Sequence, residues 1–290
     1  MMLPRIEILG SPVHAINMDQ AVAAVCDALA TKRKGYVCCG GVQLLSEACE
    51  HADYREVLER AFLVTPDGMP LVWLGRLQGQ SRMSRVYGPD LMLRVCEESV
   101  SRGITHFLYG GNPDVAEELK KVLEKRFPGI RIVGTHCPPF RPLNEEEEAA
   151  LAHQVAEAKP DIIWVGLGSP KQDRFMRDYL PKLDTTLMFG VGAAFDFHTG
   201  RVRQAPAWIQ RIGMEWFFRV CCEPRRLAGR YFRNNPLFVW RLVKQGFKNQ
   251  SLRGQRSEPQ GTANGGGDSV SAARLNSKSE RARRPLTSDL

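Results

Sequence analysis

Residues 161–176, DIIWVGLGSPKQDRFM, set an apolar run, a glycine turn and the start of a helix end to end. The run from Asp161 to Leu167 is rich in β-formers without polar alternation, the pattern of a strand covered on both faces in a parallel sheet. Gly166 and Gly168 free the backbone for a tight turn. Ser169 is expected to cap the following helix, Pro170 suits its first position, and Gln172 completes a capping box. A helix N-terminus at the C-terminal edge of a strand is where open α/β sheets bind ligands, and its N–H groups favour an anion such as phosphate. Gly168, Ser169 and Gln172 are therefore candidate ligand-binding residues. Read alone, the stretch is first an ordinary βα turn.

The same grammar extends toward the N-terminus. Arg5–Val13 reads as two short strands around a Gly-Ser-Pro turn, and Met18–Ala30 carries apolar residues at helical spacing. A strand at Tyr36–Cys39, a single helix over Val42–Arg60 and a strand at Ala61–Thr65 follow. That strand ends in Thr65-Pro66-Asp67-Gly68, which leashes the Asp67 carboxylate to a sheet edge, a placement suited to a general base. On spacing alone, Pro-Asp-Gly reads as a turn. Arg85 precedes a helix over Leu91–Ser101 and is placed to reach a phosphate, although a lone loop arginine is commonly a solvated surface group.

Further strands are expected at Thr105–Tyr109 and Ile130–Gly134, with a helix over Asp114–Phe127 between them and an Asn144-capped helix after them. No glycine turn matches the dinucleotide fingerprint, and no Walker lysine motif is present, which argues against a dehydrogenase or a P-loop ATPase. The strand at Thr185–Val191 leads into GAAFDFHTG, where small residues let a ligand approach the backbone and Asp196 and His198 are candidate polar groups. Each is equally able to hydrogen-bond locally.

Charge divides the chain. Residues 1–200 carry 22 Lys and Arg against 26 Asp and Glu, whereas residues 201–290 carry 18 against 6. The segment 201–250 interleaves aromatics with arginines, among them Arg219, Arg226 and Arg230. Such helices suit a membrane surface, single-stranded nucleic acid, or packing onto a domain. The remainder, 251–290, is poor in large apolar residues and is read as a disordered tail. The eight cysteines form no C-x-x-C pair, so a reducing compartment fits better than a disulfide or metal framework. The N-terminus lacks a signal-peptide pattern, and no stretch is apolar enough to span a bilayer.

Taken together and in order, TPDGMP, RVYGPDLM, LYGG, VGLGSPKQDRFM, GVGAAFDFHTG and APAWIQRIGMEWFFRVCCEPRRLAGRY resemble the WecG/TagA/CpsF family of bacterial glycosyltransferases, from about Ile6 to Lys248. The resemblance implies a Rossmann-like α/β catalytic core over 1–200, with a basic, aromatic-rich helical appendage over 201–250. It implies inverting transfer of a sugar, N-acetylmannosamine or another hexose, from a UDP-sugar to a polyprenyl-diphosphate-linked saccharide. The setting would be cell-surface or exported polysaccharide assembly, by a cytoplasmic protein peripheral on the inner face of the bacterial membrane, with no metal or other cofactor. By the same resemblance Asp67 is the base, Arg85 helps neutralise the donor diphosphate, Gln172 lies in the donor pocket, and the segment from Arg201 onward holds the lipid diphosphate. No nucleic-acid partner is implied, and a homo-oligomer is compatible with the sequence. Many members carry a T-x-N pair where this chain has Cys39 and Gly41, which leaves the donor and acceptor sugars open. The competing readings are a nucleic-acid-binding module built on the Arg and aromatic cluster, and a non-catalytic partner of a polysaccharide complex.

Overall fold

The structure, a computed structural model, describes residues 3–256, with the side chains of residues 226, 230 and 246–256 outside the description. The tail beyond 256 lies outside the described residues. A hairpin, β1 (Arg5–Ile8) and β2 (Ser11–His14), precedes helix α1 (Met18–Ala30) and strand β3 (Gly35–Gly40). Two helices follow, α2 (Val42–Glu50) and α3 (Ala52–Arg60), where the sequence reading expects one. The chain leaves the helical region at His51, at φ −128° and ψ 110°, and starts again. The restart aims α3 so that the Tyr54 hydroxyl donates to Asp173 Oδ2 at 2.7 Å in the core.

Strand β4 (Leu63–Pro66) leads into α4 (Met69–Leu77), then α5 (Gly88–Arg102), β5 (Thr105–Gly110), α6 (Val115–Arg126) and β6 (Arg131–His136). Helix α7 (Glu145–Ala158) starts on a capping box in which the Asn144 side chain accepts from the Glu147 N–H at 2.8 Å. The core closes with β7 (Ile162–Gly166), α8 (Lys171–Tyr179), β8 (Leu187–Gly190) and α9 (Ala194–His198). Helices α10 (Ala207–Arg211), α11 (Glu215–Cys222) and α12 (Pro224–Arg256) complete the described chain.

Six strands form one parallel sheet in the order β4-β3-β8-β7-β5-β6. Register aligns Leu108, Trp164, Phe189, Val37 and Leu63 in one row across five strands. All five are buried in the core that α1, α5, α6 and α9 cover. The next row, Tyr109, Val165, Cys38 and Val64, points to the opposite face, under α2, α3, α7 and α8. This alternation explains the continuous apolar runs: a strand buried on both faces has no polar side to show. Strand β7 sits between β8 and β5, as expected of its residues. One row further on, Gly110 pairs with Gly166 and Cys39 with Thr65. There the side chains shrink and the sheet opens.

Candidate active site

The C-terminal ends of β3, β4, β5, β7 and β8 open into a cleft of about 1380 Å³. A pocket for a single small ligand holds roughly 300–1,000 Å³, so the cleft has room for two substrates. Chain order from β3 leads outward to β4 and then crosses to the other side of the sheet at β5, and ligands of open α/β sheets collect at such a reversal.

Asp67 stands just past the end of β4, on the cleft wall. Oδ2 accepts from the Gly88 N–H at 2.9 Å, and Oδ1 lies 3.7 Å from Arg85 Nη2. Burial raises its pKa to about 6, opposed by Arg85 and the Gly88 N–H and assisted by Glu215 and Asp90. Such a carboxyl is ionised at neutral pH yet more basic than an exposed aspartate. Cys39 lies beside it, buried, its thiol pushed up by burial and by Asp67, and a Cβ on Gly88 would sit 3.1 Å from the Cys39 Cβ. Gly41, the other position where the chain departs from the family pattern, packs against Gly68, so the β3 and β4 turns touch through two glycines.

Arg85 does not point freely into the cleft. Its Nε donates to the Asp67 main-chain oxygen, Nη1 to Gln210 Oε1 at 2.8 Å, and Nη2 pairs with Glu215. Its guanidinium lies over the Tyr87 ring, 4.0 Å from the centroid, and the Tyr87 hydroxyl donates to Glu215 Oε1 at 2.7 Å. Gln210, Glu215 and Tyr87 escape the sequence reading. One signal was present: Glu215 is the single acidic residue between positions 201 and 222.

At the β7–α8 turn the expected cap is replaced by another arrangement. Helix α8 begins at Lys171 with Pro170 at its N-cap and no side-chain capping bond, so Ser169 is not the cap. Instead Gln172 Oε1 accepts from the Gly168 N–H at 3.0 Å, and Gln172 Nε2 donates to Ser169 Oγ at 3.2 Å. Gly168 takes φ +75°, a conformation that excludes most side chains, and the Ser169 carbonyl accepts from Gln43 at 3.0 Å. Gly168, Ser169 and Gln172 all line the cleft. Asp173, the next residue, is fully buried, and burial lifts its pKa to about 6.

Asp196, in the first turn of α9, lines the cleft, whereas His198 accepts no such place: its Nε2 is 3.1 Å from the Pro89 carbonyl, and burial lowers its pKa. Arg219 of α11 lines the cleft over the Phe197 ring, 5.3 Å from the centroid, and its buried Nε has no hydrogen-bond partner among the described residues. Arg226 and Arg230 fall on α12, their side chains outside the description. From α12, Tyr231, Asn234 and Asn235 also reach the cleft. Among the described residues no group of three or more His, Cys, Asp or Glu side chains is arranged to hold a metal ion.

Residues 6–252 match the model of the glycosyl transferase WecG/TagA/CpsF family. The chain is 30% identical over 179 residues to an N-acetylglucosaminyldiphosphoundecaprenol N-acetyl-beta-D-mannosaminyltransferase of Bacillus subtilis (strain 168), which covers 62% of this chain and 68% of the relative. It is 29% identical over 198 residues to a protein of the same name from Bacillus spizizenii, covering 68% of this chain and 74% of that one. The match spans the sheet, the cleft and the helices that close over it, and the chain belongs to the WecG/TagA/CpsF family of glycosyltransferases.

Proposed function

We propose that the chain transfers a sugar from a UDP-sugar to a polyprenyl-diphosphate-linked saccharide with inversion, Asp67 serving as the general base. One observation carries the reading: a carboxylate with its pKa raised to about 6 stands on the wall of a cleft large enough for both substrates. In this mechanism the acceptor hydroxyl gives its proton to Asp67 as its oxygen attacks the anomeric carbon. The bond from that carbon to the diphosphate breaks, and UDP carries off the electron pair. Charge accumulating on the diphosphate requires cations or N–H donors. Arg219, which lines the cleft, supports that role, and Arg226 and Arg230 follow it on the next helix. Arg85, bonded on all three nitrogens, adds positive potential from a fixed position.

The β7–α8 turn, with Gly168, Ser169 and Gln172, forms the donor side of the cleft in this reading. Asp196, also lining the cleft, is a sugar-binding group in this reading. The acceptor enters between α8, the proline-rich loop after β6 and α12, where Phe140, Leu143, Phe175 and Phe238 give the cleft an apolar wall suited to the first isoprene units. The relatives' names supply the acceptor class and make N-acetylmannosamine the first donor to test. No described helix is long and apolar enough to cross a membrane. Exposed Trp208, Phe217, Phe232 and Trp240 among basic residues on α10–α12 support peripheral binding to the inner membrane face.

The decisive experiment incubates the protein with a panel of UDP-sugars and a short-chain polyprenyl-diphosphate N-acetylglucosamine, with and without EDTA. UDP release coupled to an extended lipid product with inverted anomeric configuration is expected. No product from any donor would remove the reading.

A further inference from the structure

The segment after the core reaches back to Asp67 through a single cation. Arg85 receives Gln210 from α10 and Glu215 from α11, while its own loop supplies Tyr87 to the second Glu215 oxygen. The three charged side chains are shielded, with 16% of Arg85, 14% of Glu215 and 18% of Asp67 exposed. A planar guanidinium bonded at Nε, Nη1 and Nη2 and covered on one face by a ring has little freedom left. Its Nη2 therefore stays where it is, 3.7 Å from Asp67 Oδ1 and in contact with Glu215.

We propose that Glu215 is a positioning residue for the reaction: it fixes the Arg85 guanidinium beside Asp67 and shares its charge, keeping the base basic. The inference rests on the reading of Asp67 as the base. Paired with Arg85 alone, Asp67 would have a full cation to itself, and an undivided cation a few ångströms away depresses a carboxyl pKa by roughly 1–3 units. Glu215 divides that cation. The geometry also makes assembly of the base depend on docking of α10 and α11, which hold two of the Arg85 partners. Among the described residues, the charged or titratable groups facing Asp67 that enter the balance are Arg85 and Tyr87 from the loop before α5, Asp90 from α5, Cys39 from β3 and Glu215 from α11. Only Arg85 among them is a cation, so removal of one carboxylate leaves the other more tightly paired.

The test follows the Asp67 carboxyl directly, by NMR titration of full-length protein labelled with ¹³C at aspartate side chains, the signal being identified by its loss in Asp67→Asn. In Glu215→Gln, which keeps an acceptor for Arg85 but removes the charge, the midpoint is expected to fall by roughly half a unit or more. The acid limb of the kcat/KM profile should move to lower pH with it. Glu215→Asp should restore the midpoint toward its original value. Gln210→Glu, which adds a second carboxylate to Arg85, should move the midpoint up, and it decides the matter if Glu215→Gln fails to fold. Midpoints that stay in place in the folded variants would overturn the proposal. Because the titration needs no substrate, absence of sugar transfer by the unaltered protein would count against the enzyme reading alone.

Discussion

The Gly88 N–H donates to Asp67 Oδ2 at 2.9 Å, joining the first turn of α5 to the end of β4. The bond orients the carboxylate, and Asn can accept it equally well. Asp67→Asn is therefore expected to keep the fold, with a melting temperature at neutral pH no lower than that of the unaltered protein, while lowering kcat by about 10²–10⁴-fold, the usual worth of a general base. In the unaltered enzyme the carboxyl, with its pKa raised to about 6, must lose its proton to act, so kcat/KM should fall as pH drops below about 6. Steady-state UDP release from pH 4.5 to 8.5 measures both. Turnover near the unaltered rate in the Asn variant would remove Asp67 from the mechanism.

Gln172 braces a turn and lines a cleft with the same atoms. It is 2% exposed, and Gly190 has no Cβ, which leaves room for its amide; a Cβ there would lie 2.9 Å from Nε2. Gln172→Ala abandons the Gly168 N–H and should cost about 1–3 kcal/mol, read as a lower midpoint in urea. A contact to the donor adds a second effect, a KM for the UDP-sugar raised more than the KM for the acceptor. A destabilised variant with both KM values unchanged would leave Gln172 a brace only.

Gly110 closes β5 beside Gly166 of β7 at φ +114°, and a Cβ there would lie 2.9 Å from Gly166 backbone atoms. Backbone cannot yield as a flexible side chain can, and the φ value itself is strained for alanine. Gly110→Ala should destabilise the protein by about 2 kcal/mol or more and widen the strand ends beneath the cleft. Thermal melts of the variant beside Gly103→Ala control for φ alone, since Gly103, at φ +64°, has open space around its Cβ position. Equal losses at the two sites would show that the close approach of β5 and β7 contributes nothing.

Much of the sheet was legible because its strands are short apolar runs ended by glycine turns. The helix α1 boundaries at Met18 and Ala30 and the Asn144 cap follow from spacing and cap chemistry alone. The break at His51 was not legible, since α2 and α3 both carry helix-forming residues and only the demand of the core for Tyr54 separates them. At the site, Asp67 and Gln172 are visible because each sits in a local motif at a strand end. The Arg85 partners are not: Gln210 and Glu215 lie 125 and 130 residues away, on helices whose order and docking no local pattern states. Local chemistry is written in the sequence, whereas pairing across the cleft arises from topology.

Two kinds of buried titratable group should pull the stability of this protein in opposite directions with pH. Asp173 is fully buried with Oδ1 unbonded among the described residues, and its pKa rises to about 6, above the unfolded value near 3.9. Its folded form holds the proton more tightly than the unfolded chain, so ionisation costs stability as pH climbs through that window. Asp173→Asn can keep the Tyr54 hydrogen bond without the charge, and should be more stable than the unaltered protein by up to about 3 kcal/mol at pH 8 and by nothing near pH 4. His106 works the other way: buried and accepting from Trp164 Nε1 at 3.0 Å, its pKa is lowered to about 4, so stability is lost as pH falls from about 6.5 toward 4. Urea denaturation at pH 4, 6 and 8 separates the two, because replacing Asp173 removes its share of the first slope, leaving that of Asp67, and does not touch the second. A stability gap between Asp173→Asn and the unaltered protein that does not grow with pH would show that the carboxyl ionises in the fold no less readily than in the unfolded chain.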